Sequence, residues 1–231
     1  MVFRRIRVVG AVGALALVLV AAQVAQAALT ETPIARFTAA DQAAAKAAAL
    51  RAADLGAGWK GGLKKNPKVS GISREDECPG IWTPKQADLV ITGLAESEFT
   101  TTGAEVSSTV QVYKTRRMWT LDWQRTVVHP GVVPCFRRQL TAQSEPGVRF
   151  VSLTRTAFPA IAGNPAVRLR VVFEITPDGG GEPVRVLTDG IAFGKGRTGI
   201  SLTFTVPDAA RAAMHAVEVR LAKALAARIK A

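Results

Sequence analysis

Reactive side chains are scarce in this sequence: two histidines, two cysteines and a single tyrosine. With no C-x-x-C or H-x-x-x-H spacing, a zinc site has no ligand set to draw on. Neither G-x-S-x-G nor H-E-x-x-H occurs, so the usual signs of an α/β-hydrolase or a zinc protease are missing. Acidic residues are also few. Eighteen Asp+Glu face thirty Lys+Arg, a formal charge of +12. Such an excess draws anionic partners at long range. No apolar run reaches the roughly 20 residues a bilayer-spanning helix needs.

What is present begins with an N-terminal address. Arg4, Arg5 and Arg7 precede an apolar run from Val8 to Ala22, and the small residues of "AQA" follow at 25–27. This is the pattern of a secretory signal peptide. The expectation is cleavage after residue 27, a mature domain at 28–231, no lipid-bearing cysteine and no stable membrane anchor; the alternative is an uncleaved segment retained as an anchor. Losing three arginines and no acid takes the net charge from +12 to +9. About 200 residues suit one domain with a full core. Outside the cell, anionic partners are envelope polymers, lipid headgroups or acidic metabolites; nucleic acid is not expected.

Compartment also bears on the cysteines. In an exported chain, Cys78 and Cys135 are expected to form a disulfide closing a loop of about 57 residues, worth roughly 4 kcal/mol by chain entropy. A metal site or a catalytic thiol is the competing use of the pair, with His129 the nearest base in sequence.

Periodicity gives the elements. "TAADQAAAKAAALRAADLG" (38–56) predicts a helix capped by Thr38. The Gly-, Pro- and Lys-rich stretch up to residue 85 reads as loop. The runs 89–99 and 104–114 alternate and flank a short "TTG" turn, a β-hairpin. Residues 115–128 predict a helix with Trp119 and Trp123 on one side, and 133–142 a second helix containing Cys135. Strands follow at 148–158, 166–176, 184–193 and 198–206, joined too tightly for parallel crossovers. A helix over 207–229, with Asp208 as its cap and Met214, Val217, Leu221 and Leu225 as its apolar stripe, closes the chain. The expected fold is α+β: a six-stranded antiparallel sheet in the order α-ββ-αα-ββββ-α, with helices mainly on one face.

The strands suggest where function sits. Leu169, Val171 and Phe173 alternate with Arg168, Arg170 and Glu174; Val106, Val110 and Val112 alternate with Ser107, Thr109, Gln111 and Tyr113. One face is then apolar and helix-covered, the other polar. The polar face is either plain solvated sheet or a shallow cleft. In the second case Arg168, Arg170, Arg185, Thr203 and Tyr113 are the candidate ligand contacts, with the arginines gripping an anion. Glu96 and Glu98, two apart on one strand, are either a carboxylate pair or surface residues. The four lysines of "WKGGLKKNPK" (59–68) form either a solvated loop or a contact for an anionic polymer or membrane. The glycine sets Gly56/Gly58/Gly61 and Gly194/Gly196/Gly199 fit G-x-G-x-x-G, but neither joins a strand to a helix, so both read as turns. No cofactor and no metal is expected.

One resemblance emerges from these pieces. "DLGAGW" after the first helix, Cys78 before a hairpin, a Trp-bearing helix leading to Cys135, and a meander ending in a long helix resemble the extracellular sensor-like domain of mycobacterial PknH-type serine/threonine kinases and related PsbP-like exported proteins. The resemblance implies an antiparallel sheet flanked by helices and a cleft for an unknown ligand. It carries over only Cys78 and Cys135, as a structural bridge; of the two disulfides expected in the kinase domains this chain can make one. The expected function is a secreted, non-catalytic ligand-binding or sensor-like domain. The alternatives are a basic envelope-associated protein binding anionic polymers or lipids, and a hydrolase with an unrecognised site.

Overall fold

The computed structural model describes residues 33–69, 89–142, 145–177 and 181–230. A short strand β1 (Ile34–Ala35) leads into helix α1 (Ala39–Ala48), the single-turn α2 (Ala52–Leu55) and strand β2 (Lys60–Leu63). The hairpin β3 (Val90–Thr101) and β4 (Ala104–Tyr113) precedes α3 (Arg116–Asp122), which continues as a π-helical turn, Trp123–Val128, and then α4 (Val132–Ala142). The meander β5 (Val148–Ile161), β6 (Asn164–Ile175), β7 (Val184–Lys195) and β8 (Thr198–Pro207) follows. A 3₁₀ turn, Asp208–Ala210, opens onto α5 (Arg211–Ala227).

The strands form one sheet in the order β1-β3-β4-β8-β7-β6-β5, with β2 also on β3. The predicted hairpin and meander are both there, and β4 pairs with β8 to join them into one antiparallel block. The sheet is larger than six strands and is mixed. β1 runs parallel to the start of β3, and β2 runs antiparallel along its other end. The 38–56 helix breaks at Ala49, because the Leu50 N–H leaves the helix to donate to Ser108 Oγ on β4 at 3.0 Å, carrying Leu50 into the core. Thr38 does cap α1, accepting from Asp41 N at 3.2 Å. Asp208 does not cap α5: the position before the 3₁₀ turn is Pro207, and no side-chain cap bond forms there.

Helices cover both faces, not mainly one. On the first face Phe99, Val106, Val110, Phe193, Leu202 and Phe204 pack against Ala45, Leu50, Leu221 and Leu225 of the α1 and α5 regions. On the second, Leu153, Leu169, Val171, Phe173 and Ile175 pack against Val132, Phe136 and Leu140 of α4. The alternation in β6 is therefore real, but Leu169, Val171 and Phe173 serve the α4 side. Arg168 and Arg170 point into the face that α5 covers.

α3 also lies on the second face. Its Trp119 indole rests on Gly194 of β7 and Gly199 of β8: a Cβ at Gly199 would come within 2.6 Å of the ring. The second G-x-G-x-x-G set is a turn, as its φ of 62° at Gly196 shows, and also the bare backbone on which an indole lies. Trp123, one turn on, sits 5.4 Å from Trp119 between ring centroids.

Cys135, in α4, is buried and is not a free thiol. Cys78 lies outside the described residues, as do the signal-peptide segment and much of the 56–85 loop. No helix among the described residues is long and apolar enough to cross a membrane.

Candidate functional site

β6 and β7 place Arg170 directly across from Asp189, with Arg168 two residues further along the same face. α5 crosses above them and lowers Glu218 onto the pair. Arg170 grips Asp189 with two parallel bonds, Nε to Oδ1 at 2.7 Å and Nη2 to Oδ2. Arg168 donates from Nη1 to Glu218 Oε2 at 3.1 Å and from Nε to Thr156 Oγ1 at 2.9 Å, and lies over the Phe158 ring. Asp189 and Glu218 are both 0% exposed. Burial lifts the Glu218 carboxyl to about 7, helped by a hydrogen bond to Asp189 and by that residue's charge; Arg168 pulls the other way. Two carboxyls and two guanidiniums thus share one buried patch, in which Glu218 holds a proton up to neutral pH.

This patch opens to solvent through a hollow of ≈ 440 Å³ at the start of α5. Arg168 and Arg170 form part of its wall, and Arg211, His215 and Asp208 stand around it. Arg211 and His215, four apart on α5, are exposed. His215 Nδ1 is 3.3 Å from Arg168 Nη1 and 3.7 Å from Glu218 Oε2. Two carboxylate oxygens at this end of the fold, Asp208 Oδ1 and Glu218 Oε1, are buried with no hydrogen-bond partner. The set offers guanidinium donors to an anion and acceptors to a hydroxyl or ammonium group.

The five residues expected to share a cleft do not meet. Arg168 and Arg170 come together, but the first is half-buried, the second buried, and both are already paired. Arg185 lies further along the same face, where it donates to Glu174 at 3.1 Å in an exposed group with Arg149. Tyr113 and Thr203 are on the opposite face. Tyr113 Oη lies 2.5 Å from Asp122 Oδ2 and 2.8 Å from Gln111 Oε1, a buried network that fixes α3 to β4. His129 accepts from Gly131 N at 3.1 Å through Nδ1 and shapes the turn before α4. No group of three metal-ligating side chains occurs among the described residues.

No protein-family model matches the chain. No curated protein sequence matches it. Among solved structures, a protein of unknown function from Pseudomonas aeruginosa, PA94, is 13% identical; the match spans 52% of this chain and 70% of that one with a TM-score of 0.27, too low to carry an argument about fold or activity.

A second polar cluster lies on the α3 side of the sheet. Lys64, from the lysine-rich stretch, places Nζ 2.9 Å from Glu98 and 3.9 Å from Glu96. The carboxylate pair seen in the sequence therefore has its own cation. Glu105, across the hairpin, is buried, and burial followed by the Glu98 charge pushes it to about 7. Sequence reasoning missed Asp189, Glu218 and Glu105. Two of them had a signal: Asp189 falls in register with apolar Leu187 and Ile191, and Glu218 falls on the stripe of Met214, Leu221 and Leu225. An acid in an apolar register calls for a buried partner.

Proposed function

We propose that this chain is an exported, non-catalytic ligand-binding domain of the sensor-like kind, and that its ligand enters the hollow at the start of α5. The observation that carries this reading is the pairing of an open ≈ 440 Å³ hollow with buried, pre-positioned guanidiniums. A hollow of that size falls within the range of small-molecule sites. Arg168 and Arg170 are held in place by carboxylates, so binding costs little further ordering of them. Arg211 and His215 add donors at the rim, and Asp208, which lines the hollow with one oxygen unpartnered, suits a hydroxyl. The ligand class is a small acid that also bears hydroxyl or ammonium groups. The Cys78–Cys135 bridge and the cleaved signal peptide belong to the same reading.

The test is thermal unfolding of the mature, oxidised domain against hydroxy acids, sugar acids and amino acids. A ligand at ~100 times its Kd stabilises the native state by about 2.7 kcal/mol, which raises Tm by roughly 5–10 °C at this size. The expected result is a compact hit whose shift disappears in Arg211→Ala and His215→Ala, rim variants that leave the buried ion pairs intact. Shifts with many polyanions, all lost at high salt and indifferent to those variants, would instead make the overall charge the binding element.

A further inference from the structure

The basic residues at the other end of α5 surround a hollow that the reading above does not use. It measures ≈ 430 Å³ and lies between α1, the β7–β8 turn and the residues that follow α5. Its surface is divided in character. Ala44, Ala48, Val112 and Ile229 give it an apolar wall, and Arg116, Arg197, Arg228 and Lys230 surround that wall with positive charge. The four cations are not equivalent. Arg197 is pinned by Asp41, Nη1 to Oδ2 at 2.9 Å and Nη2 to Oδ1 at 2.5 Å, and also donates to the Tyr113 carbonyl at 3.1 Å. Its grip holds the Asp41 carboxyl down at about 2. Arg228 is pinned by Asp54 and the Ala49 carbonyl. Among the described residues Arg116 and Lys230 have no carboxylate partner, and both are exposed. The hollow thus carries two fixed guanidiniums, each paired with a carboxylate, and two cations without a carboxylate partner among the described residues, beside an apolar wall.

We propose that this hollow binds a small anionic amphiphile: a carboxylate or phosphate head held by Arg116 and Lys230, with a short apolar body against Ala44, Ala48, Val112 and Ile229. Of the wall only Ala44 is exposed, Ala48, Val112 and Ile229 being buried, so the apolar body gains by covering Ala44 and the aliphatic stems of the arginines around it. The head gains charge-assisted bonds from two cations that have no carboxylate partner among the described residues. Arg197 and Arg228 shape the rim without moving, since each is fixed from two sides.

Calorimetric titration of the mature domain with decanoate and decyl phosphate, both below their micelle concentrations, tests this; decanol and inorganic phosphate are the controls. The expected result is saturable one-to-one binding of one or both amphiphiles, with neither control binding at the same concentration. Arg116→Gln/Lys230→Gln should weaken binding tenfold or more. Ala44→Trp, on an exposed α1 position, should abolish it by filling the hollow. Binding of both amphiphiles points to charge alone at the head, and binding of one tells a carboxylate source from a phosphate source. Equal binding of decanol, equal binding of inorganic phosphate, no binding of either amphiphile, or indifference to Ala44→Trp overturns the proposal. Arg211→Ala leaves decanoate binding unchanged if the two hollows are separate, so failure here and failure of the α5 N-terminal site are read independently.

Discussion

Replacing Gly199 with alanine tests the seat of Trp119 directly. The new Cβ would sit 2.6 Å from Trp119 Cζ3 and 2.9 Å from Cε3, closer than carbon atoms tolerate, and its three nearest neighbours all belong to that one ring. Overpacking of this kind costs about 1–3 kcal/mol, and alanine in a strand recovers about 0.5–1 kcal/mol over glycine. The net expectation is a loss of ~1–2 kcal/mol, or roughly 2–8 °C in Tm at this chain length. Gly194 provides the contrast. Its Cβ would meet Trp119 Cε2 at 2.7 Å but also the Thr198 carbonyl oxygen at 2.5 Å. In a Trp119→Leu background, Gly199→Ala should therefore become neutral or slightly stabilising, while Gly194→Ala should remain costly because the backbone oxygen stays. Urea unfolding followed by circular dichroism gives the four stabilities of each cycle. A Gly199→Ala cost that is the same with and without the indole would refute the idea that Trp119 is what that glycine accommodates.

Two further predictions concern buried charge. The folded-state value of about 7 for Glu105 lies above its unfolded value near 4.3, so the folded chain holds a proton that the unfolded chain has lost. Wild-type stability should fall as pH rises from about 4 through 7, and Glu105→Gln should gain on it by about 1–3 kcal/mol by pH 8 while matching it near pH 4. A pH-independent difference in urea midpoints would count against this. Removing one member of the Arg170–Asp189 pair, as in Arg170→Met, should cost about 3–5 kcal/mol because the other charge stays buried alone. The double variant Arg170→Met/Asp189→Leu should recover most of that loss and let Glu218 ionise against Arg168. If the double variant is as unstable as the single one, the pair is not the unit described.

The six long strands were legible because their alternation is strong and their turns are explicit. Ala162–Gly163 and Gly196–Arg197 close two of the hairpins, with φ of 50° and 77° at the first pair and 62° at Gly196. β1 and β2 were not legible. Each is four residues or fewer, and each is a strand only because the outer edge of β3 offers it hydrogen bonds. Face assignment failed for a different reason. Alternation says that Arg168 and Leu169 point to opposite sides; it does not say that either side is wet. With α4 and α5 covering opposite faces, both are interior, and the charged side is satisfied by charge from elsewhere in sequence. The candidate site was half visible. Two arginines were found, and the acids they bind were overlooked for want of weight on a polar residue sitting in an apolar row. The rim residues His215 and Arg211 lie off the apolar stripe of α5, where nothing in the sequence marks them.

The outer edge of β3 is filled along its whole length. Ile34 N and Arg36 N donate to Leu89 O and Ile91 O, Thr38 N to Thr92 O and Lys64 N to Glu96 O; Gln42 Oε1 accepts from Leu94 N, and β2 takes the remainder. That leaves β5 as the one long strand of the described sheet with a neighbour on a single side, and it carries Pro159. Strand-to-strand association between copies needs a free edge on each partner. The opposite edge ends in β1 and β2, of 2 and 4 residues, too short to template a second long pairing. Growth into a continuous ribbon through long strands is therefore disfavoured in this fold.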